Sequence, residues 1–270
     1  MSRLRVQKTL KLYVGGEFVR SESGRTLKGV SRTGEAMHVS RASRKDLRDC
    51  VEKMRAAQPG WQRRTGYNRG QILYRLAEIL EDRGSALPAD PQDVQNAVDR
   101  AVFHAGWTDK ITALLSSLNP VASAYVNYSM VGPVGLVVAV PRSADGLLGL
   151  VEALAAPLVM GNAVAVLVGA DQAELAIALG EALATCDMPH GVVNLLTGDV
   201  PEMLGAIDLH DDVDALYLAD GAITAALSKK SEEEAARMMR RILHVPGAAE
   251  PATPHQLSKL AEVKTVWMSS

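Results

Sequence analysis

The feature that most constrains the fold is a series of four short apolar runs, without charged residues, in the second half of the sequence. Their first residues lie 27, 29 and 23 positions apart, and the runs are Leu136–Val140, Ala163–Val168, Val192–Leu196 and Ala215–Leu218. Helical stretches at Leu147–Val159 and Gln172–Ala184 fill the first two intervals. Buried strands that alternate with helices are typical of a parallel sheet with crossover connections. Residues 132–225 therefore predict an α/β fold with a Rossmann-like core.

A hairpin and a helical layer are predicted ahead of this core, over residues 1–120. The hairpin spans residues 10–19 and turns at two successive glycines. A helix then begins after Ser43, which can form a capping box with Asp46. We expect Pro59-Gly60 to end this helix. Two more amphipathic helices follow, so the layer should pack against the sheet.

The segments that follow the helical layer and the core predict further strands and a connector. Residues 121–131 predict a long strand. Residues 226–254 are polar and contain three prolines near their end, which favours a connector with one short helix that Ser231–Glu234 would cap. Residues 255–270 predict a terminal strand, in which Val263–Met268 alternates as in a strand with one buried face.

Composition and length exclude several classes of protein. With 270 residues, 47% of them hydrophobic and 22% charged, the chain has the composition of a globular protein rather than a disordered one. No apolar run approaches the length of a membrane span, and the first five residues lack the apolar stretch of a signal peptide. These features predict a cytoplasmic protein without a membrane partner.

Charge is distributed unevenly, although the net charge is only −2. Residues 1–75 hold 18 basic and 6 acidic side chains, which leaves the remainder with a net charge of −14. The simpler interpretation is a basic layer that lies on an acidic body. The alternative is a surface that binds a polyanion, but nucleic acid is disfavoured because no interleaved aromatic residues or known binding motif accompany the charge.

The two cysteines, Cys50 and Cys186, are both predicted to lie in the core. Each shares helical spacing with apolar residues, and neither has an adjacent histidine or a glycine-rich turn that would present a thiolate. Two cysteines are too few for a zinc site or a disulfide framework, and the six histidines show no ligand spacing. The residues therefore predict neither a catalytic thiol nor a metal site of this kind.

Acidic residues follow the predicted strands, at the edge of the sheet where a Rossmann-like fold binds its ligand. They are Asp145, Asp171, Asp199 and Asp220. We expect them to cap the helices that follow, and a carboxylate in that place repels a phosphate. A divalent-metal site is the alternative. The loops contain no G-x-G-x-x-G or Walker motif, so the pattern argues against a dinucleotide site.

Five segments occur in an order that points to one family: Lys11–Val19, Ala105–Lys110, Val131–Val138, Gly161-Asn162 and Met188–Gly198. Together they resemble the aldehyde dehydrogenase superfamily over about residues 10–221. Further segments look like the non-catalytic C-terminal domain of the tandem members of subfamily sixteen: Arg44–Arg48, Gly60-Trp61, Tyr67–Glu81 and Val263–Trp267. The resemblance implies a cofactor-domain fold with oligomerisation-type strands and without the catalytic domain.

Three positions depart from the pattern that the resemblance implies. Ser143 replaces an asparagine that donates to the developing oxyanion in active members. Leu167 replaces a lysine that holds the adenosine ribose, and Asp220 lies in the turn that receives the pyrophosphate. The nucleophilic cysteine and the glutamate base of the family lie in a downstream portion that this sequence lacks. We therefore expect no catalytic residue and no bound cofactor.

The resemblance implies a non-catalytic subunit that associates with a catalytic aldehyde dehydrogenase or with itself. The expected interface consists of alternating apolar residues on the two oligomerisation-type strands: Val126, Tyr128, Met130, Val266 and Met268. Two alternatives stay open. One is an NAD(P)-dependent aldehyde oxidoreductase, either divergent or one half of a split enzyme. The other is a polyanion-binding protein that uses residues 1–75.

Overall fold

A computed structural model describes residues 8–269, which begin with five short strands. These are β1 (Thr9–Leu10), β2 (Leu12–Val14), β3 (Glu17–Val19), β4 (Thr26–Val30) and β5 (Ala36–Ser40). Strands β2 and β3 form the predicted hairpin, whose turn residues Gly15 and Gly16 have φ values of 67° and 81°. A side chain is strained in that region of φ, so two glycines permit the tight turn. Strands β1, β5 and β4 form a separate sheet.

The helical layer follows as α1 (Arg44–Arg63), α2 (Gly66–Asp82), α3 (Pro91–Trp107) and α4 (Ile111–Leu115). Ser43 and Asp46 form the predicted capping box at the start of α1. The prediction that Pro59 ends α1 is wrong, because the helix continues past it to Arg63. Pro59 lies on the exposed face, whereas the next turn is anchored by Trp61, which is fully buried and donates to the Leu158 carbonyl. This burial offsets the hydrogen bond that proline removes.

The remaining elements, in chain order, are β6 (Ser117–Asn119), β7 (Tyr125–Pro133), β8 (Leu136–Val140), α5 (Gly146–Val159), β9 (Ala163–Val168), α6 (Ala173–Leu183), β10 (Val193–Thr197), α7 (Val200–Ile207), β11 (Ala215–Ala219), α8 (Ala225–Met238), β12 (Arg241–Val245), α9 (Pro254–Ser258) and β13 (Ala261–Ser269). The central sheet has the order β12-β11-β8-β9-β10-β2-β3. Its five strands from β8 to β12 are parallel to their neighbours, and the hairpin adds antiparallel at β10. The predicted α/β fold with a Rossmann-like parallel sheet is confirmed.

Residues 226–254 differ from the predicted connector. They contain most of α8, which is capped by Thr224 rather than by Ser231, and the parallel strand β12 at the edge of the sheet. An edge strand has only one strand neighbour, and in β12 only Leu243 and Val245 are buried. Its short sequence therefore lacks the continuous apolar run that identified the inner strands.

The core lies on both faces of the parallel sheet, whose inner strands β8 to β11 are buried throughout. One face packs against α5, which is almost wholly buried, and beyond it against α2 and α3. The other face packs against α1 and α7. Cys50 and Cys186 are both buried, as predicted.

A three-stranded antiparallel ribbon, formed by β6, β7 and β13, extends the structure beyond the central sheet. We call it the ribbon. Strand β7 is its middle strand, and β13 pairs with it from Ala261 to Ser269. The terminal strand was expected to bury one face, but only Ala261 is buried and Val266 half-buried. The ribbon is therefore exposed along most of its length.

The described residues contain no helix that combines the length and the apolar character needed to cross a membrane. The prediction that concerned a signal peptide rests on the first five residues, which lie outside the described part.

Candidate functional site in the crevice of the parallel sheet

The order of the parallel strands identifies the candidate site. The chain moves from β8 through β9 to β10, and then returns to the opposite side of β8 to form β11 and β12. A sheet of this type binds ligands where the strand order reverses, at the carboxyl ends of the strands. Here that point lies between Val140 at the end of β8 and Ala219 at the end of β11. We call it the crevice.

The helix that begins at the crevice, α5, has its N-terminus occupied by a carboxylate from another helix. Asp93, in the first turn of α3, accepts hydrogen bonds from the backbone N–H groups of Leu147 at 2.8 Å and Leu148 at 3.0 Å. Gly146 has a φ of 56°, and a Cβ at this position would collide with the Asp93 carboxylate. The free N–H groups that bind a phosphate at such a helix are thus already paired within the chain.

Asp145 was expected to cap α5, but its side chain makes no capping bond. Its carboxylate instead accepts from Arg142 Nε at 2.9 Å and from the backbone N–H of Ala248 at 2.8 Å. The guanidinium of Arg142 has a raised pKa because it is hydrogen-bonded to Asp145. The carboxylate therefore connects the loop after β8 to the segment after β12.

That segment, residues 246–252, crosses the crevice, and we call it the strap. Besides the bond to Asp145, the Ala248 carbonyl accepts from Arg100 at 2.8 Å, and the Ala252 N–H donates to Glu152 at 3.0 Å. Ala248 and Ala252 are 4% and 3% exposed. The strap is thus bound at both ends to groups inside the body.

Glu152 is the centre of a buried polar cluster under the strap. Its carboxylate accepts from Arg100 at 2.6 Å, Tyr217 at 3.0 Å and Ala252, and His104 Nε2 lies 2.9 Å away. Burial alone would raise the pKa of Glu152, but the hydrogen bond with His104 and the charges of His104 and Arg100 outweigh it, and the pKa falls to about 2. Burial and the nearby carboxylate raise the pKa of Tyr217. The cluster holds an ionised glutamate whose partners come from three segments, α3, β11 and the strap.

Little space remains in the crevice. The cavity bounded by the strap, the loop after β8 and the end of β11 measures about 10 Å³, enough for about one water molecule. Sites for small molecules and cofactors typically measure about 300–1,000 Å³.

The three positions singled out in the sequence do not come together around this crevice. Ser143 is exposed and its hydroxyl donates to Asp171. Leu167 is fully buried in β9, packed in the core on the α1 side of the sheet. Asp220 is exposed after β11, where its N–H donates to the Val245 carbonyl.

The predicted capping role holds for one aspartate of the four. Asp199 accepts from the N–H of Glu202 at 3.0 Å at the start of α7. Asp171 accepts from Ser143 instead, Asp145 binds the strap, and Asp220 precedes α8 by several residues, with Thr224 as the cap. Within residues 8–269, no group of three or more histidine, cysteine or acidic side chains is arranged to hold a metal ion.

The thiols are unsuited to nucleophilic chemistry. Burial raises the pKa of Cys50 to about 12 and that of Cys186 to about 11. A thiol needs a lowered pKa to supply a thiolate near neutral pH. Both cysteines therefore act as buried packing residues of the core.

Basic residues of the N-terminal part form ion pairs with acidic residues of the body, as a basic layer on an acidic body would. Arg32 pairs with Asp90 at 2.9 Å and Arg55 with Asp214 at 3.2 Å, and Arg41 pairs with Glu202. These pairs satisfy part of the positive charge within the chain.

The five predicted interface residues share one face of the ribbon. Tyr128 is opposite Val266 and Val126 is opposite Met268, and residues directly opposite one another lie on the same face. Met130 follows at the next position on that side. Leu118 of β6 is opposite Tyr128 and extends the same surface. We call these six residues the apolar ribbon face.

The other face of the ribbon has a polar centre. Asn119 donates to Asn127 at 2.5 Å and to Ser129 at 2.9 Å, and Ser129 lies within hydrogen-bond distance of Thr265 at 2.8 Å. The polar side chains of this face therefore partly satisfy one another, whereas Val263 and Trp267 on the same face are 61% and 62% exposed.

A dinucleotide does not fit the residues of the crevice. Asp93 accepts hydrogen bonds from the N–H groups at the start of α5, and the strap leaves a cavity of about 10 Å³. The fold and the crevice define a class: an α/β protein with a Rossmann-like sheet whose ligand crevice is filled by its own chain.

Comparison with known proteins gives the family. The aldehyde dehydrogenase family model matches residues 18–250, so the chain belongs to the aldehyde dehydrogenase family. An aldehyde dehydrogenase of Emericella nidulans is 28% identical over 227 residues, covering 78% of this chain and 45% of that protein. Retinal dehydrogenase 2 of Mus musculus is 28% identical over 264 residues, covering 90% and 50%.

Solved structures show the same fold. An aldehyde dehydrogenase from Bacillus cereus in an NAD+ complex superposes with a TM-score of 0.80 at 22% identity, covering 88% of this chain and 50% of that chain. An NAD-dependent aldehyde dehydrogenase from Sinorhizobium meliloti gives a TM-score of 0.81 at 21% identity, with 90% and 51% covered. The chain spans about half the length of the curated relatives it matches.

Sequence reasoning missed the residues that fill the crevice. Asp93 gives only the local signal of an acidic residue in the first turn of α3, and its bond to α5 joins residues more than 50 positions apart. Glu152 offered a signal, since it is the one charged residue in the otherwise apolar α5. Arg100 and His104 lie four apart on the buried face of α3, which also marks a buried polar cluster.

Proposed function

We propose that this chain is a non-catalytic aldehyde-dehydrogenase-like subunit that associates with a catalytic member of the family through the ribbon. The resemblance to the C-terminal domain of the tandem subfamily-sixteen members supports the proposal, because in those proteins such a domain accompanies a catalytic one. A second copy of the chain is the alternative partner. The two free cysteines fit assembly in a reducing compartment, the cytosol.

The observation that carries the proposal is the apolar ribbon face. Leu118 is 76% exposed, Met130 47% and Met268 48%, and together with their neighbours they form a contiguous surface on three paired strands. Such a surface on a globular protein marks an association site. The unpaired edge of β13 adds a row of backbone donors and acceptors within the described residues.

The chemistry of the interior supports a non-catalytic role. Both thiols have raised pKa values, Ser143 is paired with Asp171, and the crevice is filled. A covalent mechanism of the family's type needs a thiolate beside the nicotinamide. None of the described residues provides that arrangement.

The test is co-expression of the tagged chain with the full-length aldehyde dehydrogenase of the same host, followed by size-exclusion chromatography with light scattering. We expect a complex of fixed stoichiometry. A chain that elutes as a monomer, alone and with this partner, would refute the proposal. A homo-oligomer without the partner would support the alternative of self-association.

A second candidate is an NAD(P)-dependent oxidoreductase, favoured by the Bacillus cereus structure in its NAD+ complex. Calorimetric titration with NAD+ and NADP+ distinguishes the two. We expect no measurable heat at millimolar concentration, because the crevice is filled. Micromolar binding would favour the oxidoreductase, whether divergent or half of a split enzyme.

A further inference from the structure

The strap occupies the place that a ligand would take in this type of sheet. It leaves β12 at Val245, passes over the ends of β11 and β8, and reaches the helical side of the molecule at Ala252. Its backbone makes three hydrogen bonds on this path, to Asp145, Arg100 and Glu152. A bound ligand would make contacts of the same kind with the same elements.

Two carboxylates complete this occupation. Asp93 supplies two oxygens to the first N–H groups of α5, as the phosphate of a nucleotide would. Asp145 accepts the N–H of the strap and is paired with Arg142. The chain itself thus supplies the negative charge that pairs with the N–H donors, and the strap fills the space that a ligand would occupy.

We propose that the strap, together with Asp93, is a built-in occupant of the crevice, which replaces a dinucleotide and fastens the helical layer to the sheet. Arg100 and His104 of α3, Glu152 of α5 and Tyr217 of β11 all meet at its far end. A ligand that binds only the folded state stabilises it, and the strap supplies this stabilisation permanently. The native chain therefore needs no cofactor for its stability and admits none.

This inference is independent of the proposed association through the ribbon. The strap and the apolar ribbon face share no residue. Failure of the strap proposal would remove one support for the non-catalytic role, but it would leave association through the ribbon untouched, because exchange at the strap and association at the ribbon are measured separately.

Gly247 allows a sharp test. A Cβ at this position would lie 2.6 Å from Arg142 Cζ and 2.9 Å from Asp145 Oδ2, closer than side chains approach in folded proteins. The partly exposed Arg142 side chain can move away, but the Asp145 carboxylate cannot move without weakening its hydrogen bond with the Ala248 N–H, so Gly247→Val should loosen the strap at Ala248. Ala249→Val is the matched control, because Ala249 lies in the same segment but is exposed.

Amide hydrogen exchange followed by NMR gives the readout. In the native chain we expect the Ala248 and Ala252 amides to exchange at least about 100-fold more slowly than those of the exposed Ala249 and Glu250. Gly247→Val should accelerate the Ala248 amide at least about tenfold, and Ala249→Val should leave it unchanged. Millimolar NAD+ or NADP+ should not alter exchange anywhere in the native strap.

Two results would overturn the inference, and both use the native chain, so they do not depend on the folding of a variant. One is strap amides that exchange as fast as those of the exposed residues. The other is acceleration at residues 246–252 upon addition of NAD+, with new protection at the start of α5. The second would show that the strap is a displaceable lid over a working site.

Discussion

The crevice and the ribbon differ in how far their side chains are paired or covered within the chain. In the crevice, the half-buried carboxylate of Asp93 and the buried carboxylate of Glu152 receive hydrogen bonds from distant parts of the chain. On the ribbon, large apolar side chains such as Met130 and Met268 remain about half exposed, and nothing within residues 8–269 covers them.

The difference shows which region is available to another molecule. Buried polar groups are stable when they are paired, and the Glu152 carboxylate is paired within the chain, although the buried His104 Nδ1 has no hydrogen-bond partner among the described residues. An exposed apolar surface gains free energy only when another surface covers it. The same chain is therefore closed at the site where its fold binds cofactors and open at its ribbon.

The largest effect, a loss of folding stability, is expected from Glu152→Gln in the buried polar cluster under the strap. The substitution leaves Arg100 and His104 buried without their carboxylate, and removal of one partner from a buried pair costs about 3–5 kcal/mol. Urea denaturation measures the loss. Glu232→Gln is the control, because Glu232 also lies 3.0 Å from a histidine, His244, but is exposed. We expect the control to cost less than about 0.5 kcal/mol, and equal losses would contradict the assignment of Glu152 as the centre of a buried cluster.

A second effect is expected from acid. The pKa of Glu152 is lowered in the folded chain from its ordinary value of 4.5 to about 2. Its contribution to stability is therefore fully present above about pH 4.5 and is lost as the pH falls towards 2. Urea midpoints measured across this interval should fall with pH, and more steeply in the native chain than in Glu152→Gln. Parallel slopes would show that other carboxylates cause the acid sensitivity.

A third effect concerns the ribbon and tests which of its faces makes the contact with a partner. Met268→Lys places a charge on the apolar ribbon face, and Val263→Lys places the same charge on the opposite face of the same strand. We expect Met268→Lys to weaken association at least about tenfold, or about 1.4 kcal/mol, and Val263→Lys to weaken it less. Sedimentation velocity measures both, and melting temperatures should not change. Equal weakening would place the contact elsewhere on the ribbon.

The smallest effect is expected at the two cysteines, whose thiols should not react in the folded chain. Burial raises the pKa of Cys50 to about 12 and of Cys186 to about 11, so neither should react with a chromogenic disulfide reagent at neutral pH until the chain unfolds. Two thiols should then be titrated in urea. Rapid labelling of the native chain would show that the reagent reaches the thiols and that the core is not closed to solvent.

Much of the fold could be predicted because its signals are local. Strands β8 and β9 have the predicted bounds, since a strand that is buried on both faces requires a continuous apolar run. The capping box of Ser43 and Asp46 was predictable because its bonds span three residues. Strand β12 was missed because an edge strand lacks that run, and the end of α1 was misplaced because the burial of Trp61 outweighs Pro59.

The candidate site was predictable only in outline. The sequence indicated acidic residues at the rim of the sheet, but it could not show that Asp145 binds the strap while Asp93 takes the N-terminus of α5. Asp145 and Ala248 are 103 positions apart in the sequence. The single charged residue of α5, Glu152, indicates a buried polar contact but not which residues take part in it. Such pairings depend on how distant elements pack.

By itself, the sequence determined the α/β class, the bounds of β8 and β9, the burial of both cysteines and the resemblance to the aldehyde dehydrogenase family. Only the tertiary structure decided that the crevice is filled and that large apolar side chains of the ribbon stay exposed, Met130 and Met268 on one face and Trp267 on the other. Propensity, periodicity and capping act within a few residues. The pairing of a buried charge and the exposure of a strand face depend on segments that meet only after the chain has folded.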